Sequence, residues 1–113
     1  MCPPMKKVLF VCTANLQRSP TAENLFQAWK GTWEAKSAGI TPDSDGNPLT
    51  QELIDWADII IVMEPIHSQY IHDNFRCRKG KVYVLNIADR YFRDDPELIS
   101  ELLKKVPSIL DEY

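Results

Sequence analysis

A cysteine and an arginine six positions apart, Cys12 and Arg18, are the side chains of this sequence best suited to do chemistry together. Between them lie Thr13, Ala14, Asn15, Leu16 and Gln17, just after an apolar run and just before a helical pattern. A loop between the carboxyl end of a strand and the amino end of a helix turns several backbone N–H groups toward one point, at the positive end of the helix dipole, and such a concavity binds phosphate. The same field favours thiolate: an unperturbed cysteine has a pKa near ~8.5, and helix N-termini or nearby cations lower it to about 3.5–7.5, which makes it a nucleophile at neutral pH. Arg18 adds a planar fork that can hold two oxygens of a phosphoryl group at once, where lysine would offer only a point charge. The chemistry this set allows is attack of sulfur on phosphorus, with inorganic phosphate or another oxyanion able to fill the loop.

The elements that must position this loop can be read in order. Residues 8–11 are apolar without alternation, as in a strand covered on both faces of a parallel sheet. Ser19 suits a helix N-cap and Pro20 a first helical position, opening a helix to about residue 30 with Ala22, Leu25, Phe26, Ala28 and Trp29 on its apolar face and Gly31 as its stop. A weaker strand follows over 32–37, with Trp33 and Ala35 on one face, and then a polar loop over 41–47. Asn47 and Pro48 are expected to open a short helix through Leu49, Leu53 and Trp56. Residues 57–63 form a second buried strand. Pro65 opens a further helix with Ile66, Tyr70, Ile71 and Phe75 facing inward, and Gly80 closes it. A fourth strand covers 81–85, a loop covers 86–94, and Asp95 with Pro96 begins a last helix striped by Leu98, Ile99, Leu102, Leu103 and Val106. Pro107 is expected to end or kink that helix, since it removes a donor and crowds the preceding turn.

This order describes an α/β fold: a four-stranded parallel twisted sheet with helices on both faces and the phosphate-binding loop after the first strand. In such sheets ligands gather at the carboxyl ends of the strands. The loop after the first strand and the loop over 86–94 therefore share an edge, which brings an acid near Cys12. Asp89, Asp94 and Asp95 are all eligible, although Asp95 also suits the role of cap before Pro96 and Glu97.

With 113 residues the chain fits one domain over 1–113. Its 44% hydrophobic and 26% charged residues are the balance of an ordinary globular protein. The net charge of −3 speaks against a general affinity for nucleic acid, and no run approaches membrane-spanning length or a secretory signal. Cys2, Cys12 and Cys77 are odd in number and widely spaced, which points to a reducing cytoplasm.

The stretch VLFVCTANLQRSPTAE over residues 8–23 resembles the signature of the low-molecular-weight protein tyrosine phosphatases. The resemblance implies Cys12 as nucleophile, Arg18 as phosphate clamp, Asn15 as loop scaffold and Ser19 as hydroxyl donor to the thiolate, with the backbone of residues 13–17 around the phosphate. IADRYF over 87–92 is similar to the family's acid loop, in which an aspartate precedes proline and tyrosine; it implies Asp89 as general acid, with Arg90 in the place of the proline. An acid matters because a phenolate leaving group has a conjugate acid of pKa near ~10, and a positioned proton donor contributes about 10²–10⁴-fold. Tyr91 and Phe92, opposite Leu16, supply aromatic and apolar walls for a flat ring. The implied substrate is a phosphotyrosine protein or aryl phosphate, hydrolysed through a phosphocysteine with no metal and no cofactor. The family usually carries a longer segment before its next buried strand than the one between Gly39 and Ala57 here.

Two other readings compete. An arsenate reductase on the same fold would need resolving thiols near Cys12, a pattern that Cys2 and Cys77 do not match. A non-catalytic phosphate- or phosphotyrosine-binding module would keep the loop without turnover. His67 and His72, five apart, do not stack as a metal pair and read as surface or hydrogen-bonded histidines. Asp43, Asp45 and Asn47 form a turn rather than a calcium loop, and Trp29, Trp33 and Trp56 read as core.

Overall fold

A computed structural model describes residues 6–13, 18–27, 29–40, 47–77, 81–87 and 95–112, with the backbone alone at Arg18, Ser19, Lys30 and Glu112. The elements are β1 (Lys6–Cys12), α1 (Arg18–Phe26), a single 3-10 turn (Trp29–Gly31), β2 (Trp33–Gly39), α2 (Gln51–Trp56), β3 (Ile59–Val62), α3 (Pro65–Asn74), β4 (Val82–Val84) and α4 (Pro96–Glu112). All four strands are parallel, in the order β2-β1-β3-β4. The two unbroken apolar runs occupy the two central positions, as their lack of alternation requires. Val8 to Val11 and Ile59 to Val62 are each 0 to 2% exposed, and burial of each such side chain is worth about 1.5–3 kcal/mol.

The sheet divides the core into two layers. Val8, Phe10 and Cys12 of β1 pack with Ile59 and Ile61 of β3, Phe26 of α1 and Leu98, Leu102, Val106 and Leu110 of α4. Leu9, Val11, Ile60 and Val62 face the other way, toward Ile54 of α2 and Ile71 of α3. Alternate residues of one strand thus serve opposite layers, which is how helices come to cover both faces.

Several boundaries differ from expectation. Helix α1 begins at Arg18, so Ser19 and Pro20 lie in its first turn rather than at its cap; Pro20 is still harmless there, because the first N–H groups of a helix have no intrahelical partner. The second strand runs further than expected, through residues 38 and 39, with Gly39 opposite Cys12. Asn47 and Pro48 open no helix. The Gly39 N–H donates to Asn47 O (2.8 Å) and the Leu49 N–H to Gly39 O (3.0 Å), so Pro48 forms a parallel bridge at the sheet's edge, where a missing donor is tolerated. Helix α2 starts later, capped by Thr50 Oγ1, which accepts from Leu53 N (3.2 Å).

Helix α3 turns His67 and Ile71 inward, both 0% exposed, and leaves Ile66 62% exposed against expectation. Positions i and i+4 share a helix face, so burying 71 selects 67 and excludes 66. Helix α4 runs through Pro107 to Glu112, neither ending at the proline nor stopping its apolar stripe. The stripe of Leu98, Leu102, Val106 and Leu110 continues past it at four-residue spacing, and its burial offsets the cost of about 3 kcal/mol for an interior proline. The carbonyl deprived of its partner belongs to Leu103, which is 44% exposed rather than inward, on a side that water can reach.

Candidate active site

The chain passes from β2 to β3 across β1, so the carboxyl end of β1 lies where successive connections depart in opposite directions, and ligands of open α/β sheets bind at such a point. Cys12 stands there, 2% exposed, as the last residue of β1. Its carbonyl accepts from Ile40 N (3.1 Å), while Val11 O accepts from Met63 N (3.0 Å), so strand pairing on both sides holds the residue before the loop begins. Thr13 follows, half-buried, and Arg18 is the first residue of α1. The cysteine and the start of the helix therefore flank the loop as the spacing predicts.

Helix α1 is held on the sheet by side chains that serve edge strand β2. Gln27 accepts from Ala35 N (2.9 Å) and donates to Ala35 O (3.2 Å), taking both backbone groups of one residue as a neighbouring strand would. Nearer the loop, the Ser37 hydroxyl donates to Glu23 Oε1 (3.2 Å). These bonds orient α1, and with it the amino end that faces the loop.

The neighbouring strand contributes a residue that the sequence did not mark as part of the site. After β3 the chain turns at Glu64 into α3, and the His67 ring lies fully buried between two partners. Glu64 N donates to His67 Nδ1 (3.0 Å), and His67 Nε2 lies 2.9 Å from Thr13 Oγ1. His67 is thus hydrogen-bonded, as one of its two expected readings had it, while His72 is exposed. The available signal was its position three residues after the cap, where a polar side chain reaches back to the cap's N–H.

Of the remaining expected site residues, Ala14, Asn15, Leu16, Gln17, Asp89, Tyr91 and Phe92 lie outside the described residues, as do Asp94 and the side chain of Ser19. Asp95 acts as a helix cap: its Oδ1 accepts from Glu97 N (2.9 Å). The loop expected to hold the acid is approached through Leu85 and Ile87, whose N–H groups donate to Val62 O and Met63 O (2.9 and 2.8 Å), beside the Cys12 edge. Asn86 between them adopts a left-handed backbone (φ 59°), which asparagine tolerates better than most residues.

Cys77 is at the other edge. It lines an open polar cavity with Asp55, Ala57, Asp58, Arg76 and Lys81. Asp58 in turn is bonded to Lys7, near the start of β1, by Lys7 N to Asp58 Oδ2 (2.9 Å) and Asp58 N to Lys7 O (2.8 Å). Cys12 is five residues further along β1, about 16 Å at ~3.3 Å per residue, whereas a disulfide needs Cα atoms roughly 4.4–6.8 Å apart. Among the described residues no three His, Cys, Asp or Glu side chains gather as a metal site would require, and no helix is long and apolar enough to cross a membrane.

Comparison with known proteins agrees with this geometry. The family model of the low molecular weight phosphotyrosine protein phosphatases matches residues 7–55. A protein-arginine-phosphatase of Bacillus subtilis (strain 168) is 30% identical over 103 residues, covering 69% of each chain. Among solved structures, the YwlE arginine phosphatase from Geobacillus stearothermophilus aligns with a TM-score of 0.72 at 26% identity, over 96% of this chain and 97% of that one. The tyrosine phosphatase Wzb from Escherichia coli K30, solved in complex with phosphate, shares the fold with a TM-score of 0.66 at 23% identity, over 88% and 89%.

Proposed function

The chain belongs to the low-molecular-weight phosphotyrosine protein phosphatase family, a family of cysteine-dependent phosphatases, and from that premise we propose that it hydrolyses protein phosphotyrosine through a phosphocysteine on Cys12. The observation that carries this reading is the seat of Cys12: fixed by strand pairing at the carboxyl end of a central strand, one short loop before the amino end of α1. Backbone N–H groups over 13–18 and the Arg18 guanidinium hold the phosphoryl oxygens and stabilise the charge they gain in the transition state. The Cys12 sulfur attacks phosphorus as the bond to the phenolic oxygen breaks, and Asp89 delivers its proton to that oxygen. Asp89 then takes a proton from water attacking the phosphocysteine, which releases inorganic phosphate and restores the thiolate. Sulfur, guanidinium and carboxyl suffice for both steps without a metal or cofactor.

A second substrate is favoured by a specific observation, since the 30% identical relative is a protein-arginine-phosphatase. The bond broken would then be P–N, and the departing guanidine would need hydrogen-bond acceptors along the pocket wall. Leu16, Tyr91 and Phe92 are better suited to an aryl group, and on that ground tyrosine is preferred. Arsenate reduction is disfavoured by the separation of Cys77 from Cys12. We read residues 1–113 as one domain and place it in a reducing cytoplasm. Turnover of phosphotyrosine, phosphoarginine and phosphoserine peptides, with Cys12→Ser as control, tests the assignment. The expected result is the highest kcat/KM on phosphotyrosine. A higher value on phosphoarginine would move the assignment to the second substrate, and phosphate binding without any turnover would leave only a binding module.

A further inference from the structure

We propose that His67 is a positioning residue of this site, holding the Thr13 side chain, and through it the peptide leaving Cys12, by an Nε2–H donor whose tautomer is set at the start of α3. The proposal rests on the reading of Cys12 as nucleophile. A backbone N–H can only donate, so the bond from Glu64 N to His67 Nδ1 (3.0 Å) makes Nδ1 an acceptor. In a neutral imidazole the proton is then on Nε2, and the 2.9 Å contact with Thr13 Oγ1 is a donation from the ring to the hydroxyl. The hydroxyl's own proton is thereby directed away from the ring.

The ring is 0% exposed, so bulk water does not reach either of its nitrogens. Thr13 is β-branched, with few allowed χ1 rotamers, and a hydrogen bond to its Oγ1 restrains the adjoining backbone more than it would for a flexible side chain. That backbone carries the first amide of the loop after Cys12. Reaction geometry is sensitive at this scale, since a displacement of ~1 Å can cost about 10²-fold in rate. The link spans 54 residues and exists only because β3 lies beside β1, which puts the Glu64 turn next to the end of β1.

The two bonds of the ring can be separated by substitution. The amide of asparagine reaches the Nδ1 position, so His67→Asn retains an acceptor for Glu64 N–H and loses the donor to Thr13. Glutamine reaches the Nε2 position, so His67→Gln retains the donor and loses the cap. If His67 positions the loop, His67→Asn lowers kcat about 10–100-fold with little change in KM and in thermal stability, while His67→Gln recovers most of that rate despite a lower melting temperature. Thr13→Val produces a similar loss, and Thr13→Val combined with His67→Asn loses no more than either alone. A merely structural histidine gives the opposite order, with the asparagine variant near wild type and the glutamine variant impaired in step with its stability; that order overturns the proposal. Nitrogen-15 NMR of the wild-type ring is a check that needs no variant: an Nε2–H tautomer supports the assignment and an Nδ1–H tautomer overturns it. Wild-type turnover tests Cys12 separately. Should it be absent, protection of Cys12 from iodoacetate by inorganic phosphate, measured in the same variants, still decides the case for His67, supporting it where protection falls with asparagine and returns with glutamine and overturning it where protection is unchanged.

Discussion

Cys12 and Cys77 carry the same thiol at opposite edges of one sheet, and the contrast between them shows what a parallel sheet does to chemically identical groups. At the carboxyl edge, Cys12 ends a central strand and precedes the amino end of α1. At the amino edge, Cys77 follows the carboxyl end of α3, two residues after its cap at Phe75, and borders a cavity of mixed charge open to solvent. Because every strand runs the same way, every helix starts at one edge and ends at the other. The first edge therefore collects backbone N–H groups and positive dipole ends, and the second collects carbonyls and negative ends. An oxyanion and a nucleophilic thiolate are both favoured at the first edge and neither at the second.

The strongest way to break this contrast is to exchange the sulfurs for oxygen. Cys12→Ser is expected to reduce aryl phosphate turnover to background while vanadate or phosphate binding survives; residual turnover above about one part in 10³ would mean that another group performs the attack. Next in size, Asp89→Asn should slow phenyl phosphate about 10²–10⁴-fold and nitrophenyl phosphate far less, because the better leaving group needs less protonation; equal slowing would remove Asp89 from the acid's role. A smaller effect, of a different kind, belongs to the amino edge. Asp58→Ala leaves the Lys7 N–H without its carboxylate acceptor and should lower unfolding free energy by about 1–3 kcal/mol in a denaturant titration, with kcat unchanged. The smallest is Cys77→Ser, expected to change kcat/KM by less than about twofold; a large loss would give the second thiol a part in the chemistry.

Much of this architecture was legible along the chain because it depends on local pattern. The unbroken runs at 8–11 and 59–62 are indeed the two central strands, and the loop between strand and helix lies where Cys12 and Arg18 are spaced to flank it. Several of the misplaced features depend on partners distant in sequence. Pro48 extends the sheet because Gly39 is there to bridge it, and Pro107 stays helical because Leu110 beyond it has a core to enter. His67 was one of two histidines in a polar helix; its place three residues after the cap marks it for a local hydrogen bond, but only the packing of α3 on the sheet makes it the buried one.

The amino-acid order by itself marked Cys12 and Arg18 as the candidates for nucleophile and clamp and determined the alternation of strands and helices, because thiol and guanidinium chemistry and hydrophobic periodicity are properties of neighbouring residues. Only the tertiary structure decided that β3 lies beside β1, and with it that an imidazole 54 positions away closes on Thr13 while the second thiol is stranded at the far edge. Strand order is settled by packing two layers of side chains at once, and no short window of sequence contains both layers.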